Sequence, residues 1–414
     1  MGVTVVGAGV VGLLSAWELR RQGHRVTVIA PDIAQGASYA AAGMLAPISE
    51  VQYGQDRLYP LMTASRAEYP AFLATLAAAV DAPTGWRENG TILLAADRSD
   101  RDAVARLVAV QQAHGMEVEP LTSSALRRRE PGLAPGISKG WDVPSDHQVD
   151  PRLLADCAVQ ALQAPLDGAR FPDAGPPADL IQARVTAVHA DGPGRTGVRL
   201  TLDDGTERSE CSELTDDKIL LVPGLGYADI AGLPEQTPLD LRPVHGDVLR
   251  LKVRPGQLLP GEQHIVSATV RATVAGRSVY LVPRADGGLV VGASSREDSL
   301  PGTHAGSVQE LLDDAVAVLP GVKETELVEI TTRARPGTPD DIPYLGRCEQ
   351  APDVVVSTGY SRHGILLAPL AARLAAALLS DDGEAALSEE DRRMLAHMSP
   401  TRSLTAPQMT PTGL

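Results

Sequence analysis

The chain has 414 residues, 43% hydrophobic and 21% charged, a composition typical of a globular protein with room for two or three domains. Its 37 basic and 52 acidic residues give a formal net charge of −15, and no Lys- or Arg-rich run offsets it, so nucleic acid is not expected as a partner. No apolar run reaches the roughly 18 residues of a membrane-spanning helix, and the N-terminus lacks the basic region of a signal peptide, so no membrane association is expected.

The cysteines indicate a reducing environment. Cys157, Cys211 and Cys348 are odd in number and far apart, so they form neither a disulfide framework nor a metal-ligand spacing. We therefore expect a cytoplasmic protein without a metal site.

The first thirty residues predict a strand, a glycine turn, a helix and a second strand. Residues 3–6 are a short β-branched apolar run, typical of a buried parallel strand. Residues 10–23 repeat apolar positions every three or four residues and end in glycine, which predicts an amphipathic helix. Residues 25–29 form a second apolar strand, and Asp32 follows it.

The turn between the first strand and the helix carries glycines in G-x-G-x-x-G spacing. Gly7 permits a tight turn, Gly9 lets a pyrophosphate approach the backbone, and Gly12 lets the helix pack close to the sheet. The unpaired N–H groups of the first helical turn suit a phosphate, and Asp32 could accept a hydrogen bond from a ribose hydroxyl. The unit therefore predicts a bound dinucleotide, with an ordinary βαβ turn as the alternative.

The rest of the chain alternates between helical and extended patterns. Residues 33–49 are a loop rich in small residues that allows close approach of a flat ligand, or alternatively a short alanine helix. Helices are predicted at residues 59–80, 100–114, 151–162, 307–319 and 365–379, the fourth with a capping-box spacing from Ser307 to Glu310. Strands are predicted at residues 90–95, 183–190, 198–202, 219–222, 247–253, 264–268, 278–282, 289–292, 328–335 and 353–358, with a hairpin turn at 203–205.

This order indicates two interleaved domains of the α/β (α+β) class. A Rossmann-like dinucleotide-binding domain is expected from residues 1–85, 145–235 and 325–382. A substrate domain with an antiparallel sheet is expected from residues 86–144 and 236–324. The polar, proline-rich residues 383–414 are expected to be a peripheral tail.

Several motifs along the chain together resemble one family. They are residues 7–12, 36–47 (GASYAAAGMLAP), 147–151 (HQVDP), 280–284 (YLVPR), 335–340 (RPGTPD) and 359–369 (GYSRHGILLAP). This set resembles the flavin-dependent glycine oxidases of thiamin biosynthesis, which belong to the D-amino-acid oxidase superfamily. The resemblance covers nearly the whole chain to about residue 380.

The resemblance implies a non-covalent FAD and an oxidase of glycine or a related small amino acid or secondary amine. Hydride would pass from the substrate Cα to flavin N5, and molecular oxygen would take the electrons to give hydrogen peroxide. The imine product would be hydrolysed or passed to thiazole assembly. Whether the protein forms a homo-oligomer is left open.

The resemblance also implies roles for individual residues. Arg335 would grip the substrate carboxylate, Tyr280 and Arg362 would line the site, and Met44 would form an apolar wall near the flavin. The residues expected at the cofactor are Gly7, Gly9, Val10, Val11, Gly12, Asp32, Ser38, Ala41, Ala42, Gly43, Met44, Val185, Gly224, Arg335, Gly359, Arg362, His363, Gly364, Ile365 and Leu366.

These residue types suit that chemistry. An arginine fork matches a carboxylate bidentately and keeps its charge. Hydride leaves from a neutral amine, so the site needs orientation of the Cα–H bond more than an obligatory general base. A helix beginning near Ile365 would direct its positive end at the flavin N1–C2=O edge.

Several residues differ from the pattern of the family, and they leave the substrate open. Ala30 ends the second strand where an acidic residue is usual, and a Pro-Gly-Leu-Gly turn follows Val222. His245 takes the place of an arginine and His363 that of an asparagine. Taken singly, Arg335 could form a surface salt bridge and Tyr280 could be a core aromatic. A dehydrogenase with another electron acceptor and a non-catalytic binding protein of the same fold are the alternatives.

Overall fold

The computed structural model describes residues 1–190, 198–203, 212–232, 239–258, 264–349, 351–381 and 383–402. Its helices are α1 Val10–Arg21, α2 Ala37–Ala40, α3 Leu58–Ala79, α4 Arg98–Ala113, α5 Ser123–Arg129, α6 Pro151–Gln163, α7 Ala305–Val318, α8 Gly364–Leu379 and α9 Glu389–Met398. Its strands are β1 Gly2–Val6, β2 Arg25–Ala30, β3 Met44–Leu45, β4 Thr91–Ala95, β5 Glu119–Leu121, β6 Gly140–Val143, β7 His147–Gln148, β8 Asp179–Gln182, β9 Arg184–Ala190, β10 Val198–Asp203, β11 Ser212–Asp216, β12 Lys218–Leu221, β13 Arg242–Lys252, β14 Thr269–Val274, β15 Arg277–Pro283, β16 Gly288–Gly292, β17 Glu326–Gly337, β18 Tyr344–Cys348 and β19 Ala351–Thr358.

A six-stranded sheet forms the centre of the first layer, in the order β18-β19-β12-β1-β2-β8. Neighbours pair in parallel except β18, which runs antiparallel to β19 at one edge. Val5 lies between Val28 and Leu220 and is fully buried, as an apolar run in a sheet covered on both faces should be. Helices α1 and α8 pack together on one face. This is the Rossmann-like arrangement that the N-terminal pattern predicts.

The second large sheet has eight strands in the order β17-β13-β16-β15-β14-β4-β6-β5, all antiparallel except the β14–β4 pair. Helix α7 packs on one face, where the apolar side chains of both form a separate core. On the opposite face, Val248, Val282 and Val290 pack against Ala40 and Ala42 of the small-residue loop. The inner face of this sheet therefore lies against the dinucleotide-binding layer, and the α/β class with an interleaved antiparallel sheet is confirmed.

The strand predicted at residues 264–268 is wrong, because β14 begins at Thr269. The buried carboxylate of Glu130 accepts hydrogen bonds from the backbone N–H groups of Ser267 and Ala268, at 2.8 Å each. These donors are thus satisfied by a side chain and need no partner strand.

Two smaller expectations also change. The capping box at Ser307 is wrong, because α7 begins two residues earlier and the ring of His304 accepts from the Ser307 N–H group. Of the hairpin turn predicted at 203–205, Asp203 ends β10 and residues 204 and 205 lie outside the described part of the chain.

One helix among the described residues is long and apolar enough to cross a membrane, Ser361–Leu379, with a mean hydropathy of 1.3. In the structure 78% of that segment is buried, because α8 packs between α1 and α3 as the central helix of the core. Its apolar character is explained by this packing.

The segment after residue 382 carries α9, which packs against β18. Met394 and Met398 are buried, and Arg373 of α8 binds Asp391 at 2.8 Å. Arg402 lies over the Tyr344 ring at 4.0 Å and donates to both carboxylate oxygens of Asp340. Residues 383–402 are therefore joined to the body by buried contacts, and residues 403–414 lie outside the described part. The domain boundaries given above stay a prediction.

Candidate active site

A cavity of about 1240 Å³ lies between the two large sheets, at the carboxyl ends of β1, β2 and β12. It exceeds the roughly 300–1,000 Å³ of an ordinary small-molecule pocket. Its walls come from the β1–α1 turn, the small-residue loop, the inner face of the eight-stranded sheet and the turn into α8. Ligands of parallel sheets bind at this edge, so the cavity is the candidate active site.

The β1–α1 turn has the close packing that its glycines predict. Gly7 has φ +114°, and a Cβ there would lie 2.3 Å from the carbonyl oxygen of Val222. A Cβ on Gly12 would lie 2.1 Å from the Gly7 carbonyl oxygen. The Val10 N–H group donates to Ser38 Oγ at 3.1 Å, and Gly9 gives α1 no side-chain cap. The first turn of α1 therefore presents N–H groups to the cavity, which suits a pyrophosphate.

The small-residue loop is fixed from behind by Arg284. This buried guanidinium donates to the carbonyl oxygens of Ala42 at 2.7 Å and Val149 at 3.0 Å, and lies 3.3 Å from the Asp150 carboxylate. Burial lowers the pKa of Arg284 to about 10. Gly43 has φ +73°, and a Cβ there would lie 2.2 Å from the Val149 carbonyl oxygen. The loop thus exposes backbone and small side chains to the cavity.

The inner face of the eight-stranded sheet supplies Tyr280 and Arg335, and a strand glycine makes room for each. Tyr280 faces Gly292 across the β15–β16 pair, where a Cβ would lie 2.3 Å from the tyrosine hydroxyl oxygen. A Cβ on Gly246 would lie 2.4 Å from Arg335 Nη2. Burial raises the pKa of the Tyr280 hydroxyl, so it remains a neutral hydrogen-bonding group.

Arg335 has no acidic partner among the described residues. Its one hydrogen bond there is from Nη1 to the Ser294 carbonyl oxygen at 3.4 Å. An arginine that faces a cavity without a counter-ion is suited to an anionic ligand. The surface salt bridge considered for this residue is not present in that part of the chain.

A buried carboxylate, Glu50, also faces the cavity. Its Oε1 atom lies 2.5 Å from Arg271 Nη1, and its Oε2 atom lies 3.3 Å from the ring of His363. Arg271 is directly opposite Tyr280 on the neighbouring strand. Arg271, Arg335 and Arg362 are among the residues that line the cavity, together with Glu50 and Asp341.

The structure brings most of the predicted residues together. The cavity is lined by the catalytic candidates Met44, Tyr280, Arg335 and Arg362, and by Gly7, Gly9, Val10, Val11, Gly12, Asp32, Ser38, Ala41, Ala42, Gly43, Val185, Gly224, Gly364 and Ile365.

Three predicted cofactor residues do not line the cavity. Leu366 is buried in the helical core, and its carbonyl oxygen accepts from Ser65 Oγ. Gly359 has φ +79° and packs against Thr338. His363 is buried behind Arg362, to which it is hydrogen bonded. A direct contact of these three with a cofactor stays a prediction.

Sequence reasoning missed Glu50, Arg271, Gly246, Gly292 and Arg284. Strand alternation could have found Arg271, because a tight turn at Ala275–Gly276 would set it opposite Tyr280. Arg284 lies within the YLVPR motif, where only Tyr280 was given a role. No local sequence pattern indicates a role in the site for Glu50 or Gly246.

The described residues fit a flavin dinucleotide. The cavity has an uncapped helix start at the β1–α1 turn, a cradle of small residues in its middle, and Gly364 and Ile365 at the start of α8. His363 gives α8 no side-chain cap either, so the N–H groups of its first turn lie at this wall. Two helix starts and a flat backbone surface match a pyrophosphate and a planar ring.

Comparison with known proteins agrees with this geometry. The sequence model of FAD dependent oxidoreductases (DAO) matches residues 2–378. The glycine oxidase of Geobacillus kaustophilus is 31% identical over 385 residues, which are 91% of this chain and 92% of that protein. A crystal structure of glycine oxidase from the same species superposes with a TM-score of 0.79 at 28% identity, covering 97% of this chain and 99% of that one. The chain belongs to the DAO family of FAD dependent oxidoreductases.

The chain is also similar to a bifunctional protein ThiO/ThiG of Nostoc sp., at 28% identity over 403 residues. The match covers 97% of this chain and 55% of that protein. The chain thus spans about half the length of the ThiO/ThiG relatives that it matches.

Proposed function

We propose that this protein oxidises the amine of glycine, or of a closely related small amino acid or secondary amine such as sarcosine, with FAD as its non-covalent cofactor. The products are the corresponding imine and, with molecular oxygen as the acceptor, hydrogen peroxide. The observation that carries the proposal is Arg335, a guanidinium that faces the cavity beside Tyr280 without an acidic partner in the described residues.

The family and the two named relatives support the reaction class. The DAO family is one of FAD dependent oxidoreductases, and the relative that shares nearly its whole length with this chain is named a glycine oxidase. A relative in Rhizobium etli named a putative thiamine biosynthesis oxidoreductase ThiO supports a role for the imine product in thiamin biosynthesis, as the resemblance implies.

In this proposal Arg335 binds the substrate carboxylate through two parallel N–H groups. Tyr280, neutral and close by, donates or accepts a hydrogen bond at the same end of the substrate. Met44 and the small residues beside it leave an apolar, close-fitting surface that holds the Cα–H bond in one orientation. The bound FAD supplies a two-electron acceptor for the hydride of the substrate.

The cofactor would be held by the residues that line the cavity. The first turn of α1 and Ser38 would meet the pyrophosphate, Asp32 the ribose, and Val185 the adenine. Ala41, Ala42, Gly43 and Met44 would meet one side of the ring system, and Gly364 and Ile365 its anionic edge.

The charge of Arg335, which has no acidic partner among the described residues, favours a carboxylate-bearing substrate over a simple alkylamine. One anionic group on the substrate would be offset by Arg335, since Arg271 already has Glu50 as its partner. A cytoplasmic location and the oligomeric state stay predictions.

Purified protein should show a flavin absorbance spectrum and release peroxide with glycine, sarcosine or a D-amino acid. Arg335→Ala should keep the flavin and lose about 1.5–3 kcal/mol of transition-state binding, seen in kcat/KM. Arg128→Ala, an exposed arginine bonded to Ser124, is the matched control and should behave as wild type. The function is wrong if the wild type shows no flavin spectrum or oxidises none of these amines.

The electron acceptor is tested separately. Reoxidation of the reduced enzyme by air is compared with reoxidation by an artificial acceptor dye. Fast reoxidation by air supports an oxidase, whereas slow reoxidation by air with fast transfer to the dye supports the dehydrogenase alternative.

A further inference from the structure

Two buried polar residues, Glu50 at the cavity wall and His363 behind it, contact the arginines of the cavity. Glu50 is 7% exposed and His363 is 1% exposed. Both are distant in sequence from Arg335 and Tyr280, and neither has a role in the function proposed above. Buried ionisable groups are costly unless they are hydrogen bonded, so their partners define what they do.

The protonation of the His363 ring follows from its contact with Arg362, since the guanidinium has only donor groups. Arg362 Nε lies 3.1 Å from His363 Nε2, and a guanidinium can only donate. The His363 Nε2 atom must therefore accept, which places the ring proton on Nδ1. His363 Nδ1 lies 3.3 Å from Glu50 Oε2, within ion-pair distance but without the geometry of a hydrogen bond. The result is a carboxylate–imidazole–guanidinium cluster in which the imidazole is hydrogen bonded to Arg362 and in polar contact with Glu50.

Glu50 stays ionised in this cluster. Its other carboxylate oxygen lies 2.5 Å from Arg271 Nη1. Burial raises the pKa of the Glu50 carboxyl, but the charge on Arg271 and the polar contact with His363 outweigh burial and bring that pKa to about 2.

Arg362 needs such an anchor. Burial lowers its pKa most; the negative charges of Glu50 and Asp341 raise it, while the positive charges of Arg271 and Arg335 lower it, because these guanidiniums repel one another. Only Nε of Arg362 is engaged: within the described residues, its Nη1 and Nη2 atoms make no hydrogen bond or ion pair. The side chain is thus fixed at Nε while its two terminal nitrogens stay available in the cavity.

We propose that Glu50 and His363 are positioning residues, which hold the Arg362 guanidinium so that its free nitrogens meet the carboxylate end of the substrate. The proposal rests on the function proposed above. It assigns a purpose to His363, which stands where the family commonly has an asparagine. An asparagine also offers one acceptor and one donor group, so both residue types can link a carboxylate to an arginine.

The test is the binding of acetate, a carboxylate without an amine, to the flavin-loaded enzyme, followed through flavin absorbance. His363→Leu keeps the side-chain volume and removes both the hydrogen bond to Arg362 and the polar contact with Glu50. We expect the Kd for acetate to rise about tenfold in His363→Leu and to stay within about threefold of wild type in His363→Asn. The KM for the oxidised amine should follow the same order, with kcat changed less than about threefold.

A double-mutant cycle tests whether the effect passes through Arg362. In an Arg362→Met background, His363→Leu should weaken acetate binding by less than about twofold, because the group that it positions is gone. His397→Leu, at a partly buried histidine in α9, is the matched control and should bind acetate as wild type does.

Several results would overturn the proposal. One is a His363→Leu variant that binds acetate as tightly as wild type. Another is a His363→Asn variant that binds acetate as weakly as His363→Leu, because that result would mean that His363 acts only through packing. If His363→Leu fails to bind flavin, acetate binding is measured on Glu50→Gln instead. Weaker acetate binding than in wild type supports the proposal, and unchanged binding rejects it. A wild-type enzyme that neither oxidises an amine nor binds acetate would reject the proposed function and this inference together.

Discussion

Arg335 and Gly246 lie against each other on the β13–β17 pair: a Cβ built on Gly246 would be 2.4 Å from Nη2 and 2.6 Å from Nη1 of Arg335. The two residues lie on adjacent antiparallel strands, and Gly246 has no positive φ that would demand glycine for backbone reasons. The missing side chain is needed for the position of the guanidinium.

Gly246→Ala should therefore move Arg335 and leave the fold in place. The atoms in the way belong to the end of a flexible side chain, so we expect a change of less than about 1 kcal/mol in the free energy of unfolding. The KM for the amine substrate should rise about tenfold, with the flavin retained. Steady-state kinetics and urea unfolding measure the two effects.

The control for this prediction is Gly321→Ala, at a glycine whose Cβ would meet nothing within 4 Å. It should leave both kinetics and stability as in wild type. If Gly246→Ala kept the wild-type KM, the guanidinium would have room to adapt, and the glycine would have no part in substrate binding.

Arg284 supports the cofactor loop from a position outside the cavity. Replacing it by Met removes the hydrogen bonds to the Ala42 and Val149 carbonyl oxygens and the ion pair with Asp150. Because the loss of one member of a buried pair costs about 3–5 kcal/mol, we expect a lower Tm. We also expect FAD affinity to fall at least about tenfold, measured by flavin fluorescence on titration of the apoprotein.

A conservative variant separates charge from geometry at this position. Arg284→Lys keeps the positive charge beside Asp150 but cannot make the parallel hydrogen bonds of a guanidinium. If FAD affinity in Arg284→Lys equals that of wild type, the loop does not depend on the arginine fork, and the proposed support of Ala42 is wrong.

Local patterns were sufficient for the dinucleotide-binding part of the fold. The glycines at 7, 9 and 12 and the apolar runs around them set a strand, a turn and a helix within the first 21 residues, so no distant contact is needed to predict them. The presence of Tyr280 and Arg335 at the site followed from the resemblance alone, and the structure places both on the inner face of the eight-stranded sheet.

Features that depend on distant partners could not be predicted. The Glu50–Arg271 ion pair joins residues 221 positions apart, and no local pattern indicates that they meet. The same holds for residues 264–268, whose backbone N–H groups are satisfied by Glu130, more than 130 positions away. Glycine is an unfavourable residue inside a strand, and the reason for Gly246 is visible only in the structure, where Arg335 packs against it.

The C-terminal segment should contribute to stability through Arg402. This side chain is 5% exposed, binds both oxygens of Asp340, and donates to the carbonyl oxygens of Ile342 and Pro343. Arg402→Ala should lower the free energy of unfolding by roughly 3 kcal/mol. Arg393→Ala, on the exposed side of α9, should be neutral in the same urea titration. A neutral Arg402→Ala would show that residues 399–402 are peripheral.

Asp146 should make stability depend on pH in the mildly acidic range. It is fully buried and accepts hydrogen bonds from the N–H groups of Ile48 and Ser49, next to Glu50. Burial raises its pKa from 3.8 to about 6. A carboxyl whose pKa is higher in the folded state favours folding most when it is protonated, so its contribution is lost as pH rises from below 4 through 6.

Comparison of wild type with Asp146→Asn isolates this group. The variant lacks one hydrogen-bond acceptor, which adds a constant cost at every pH, but it has no proton to lose. Between pH 5 and pH 7 the stability of Asp146→Asn relative to wild type should therefore rise by about 1 kcal/mol, from the two pKa values and the linkage relation. Urea unfolding at both pH values measures it. A difference that stays constant with pH would mean that Asp146 is already ionised at pH 5, held by the Ile48 and Ser49 N–H groups more strongly than burial opposes it.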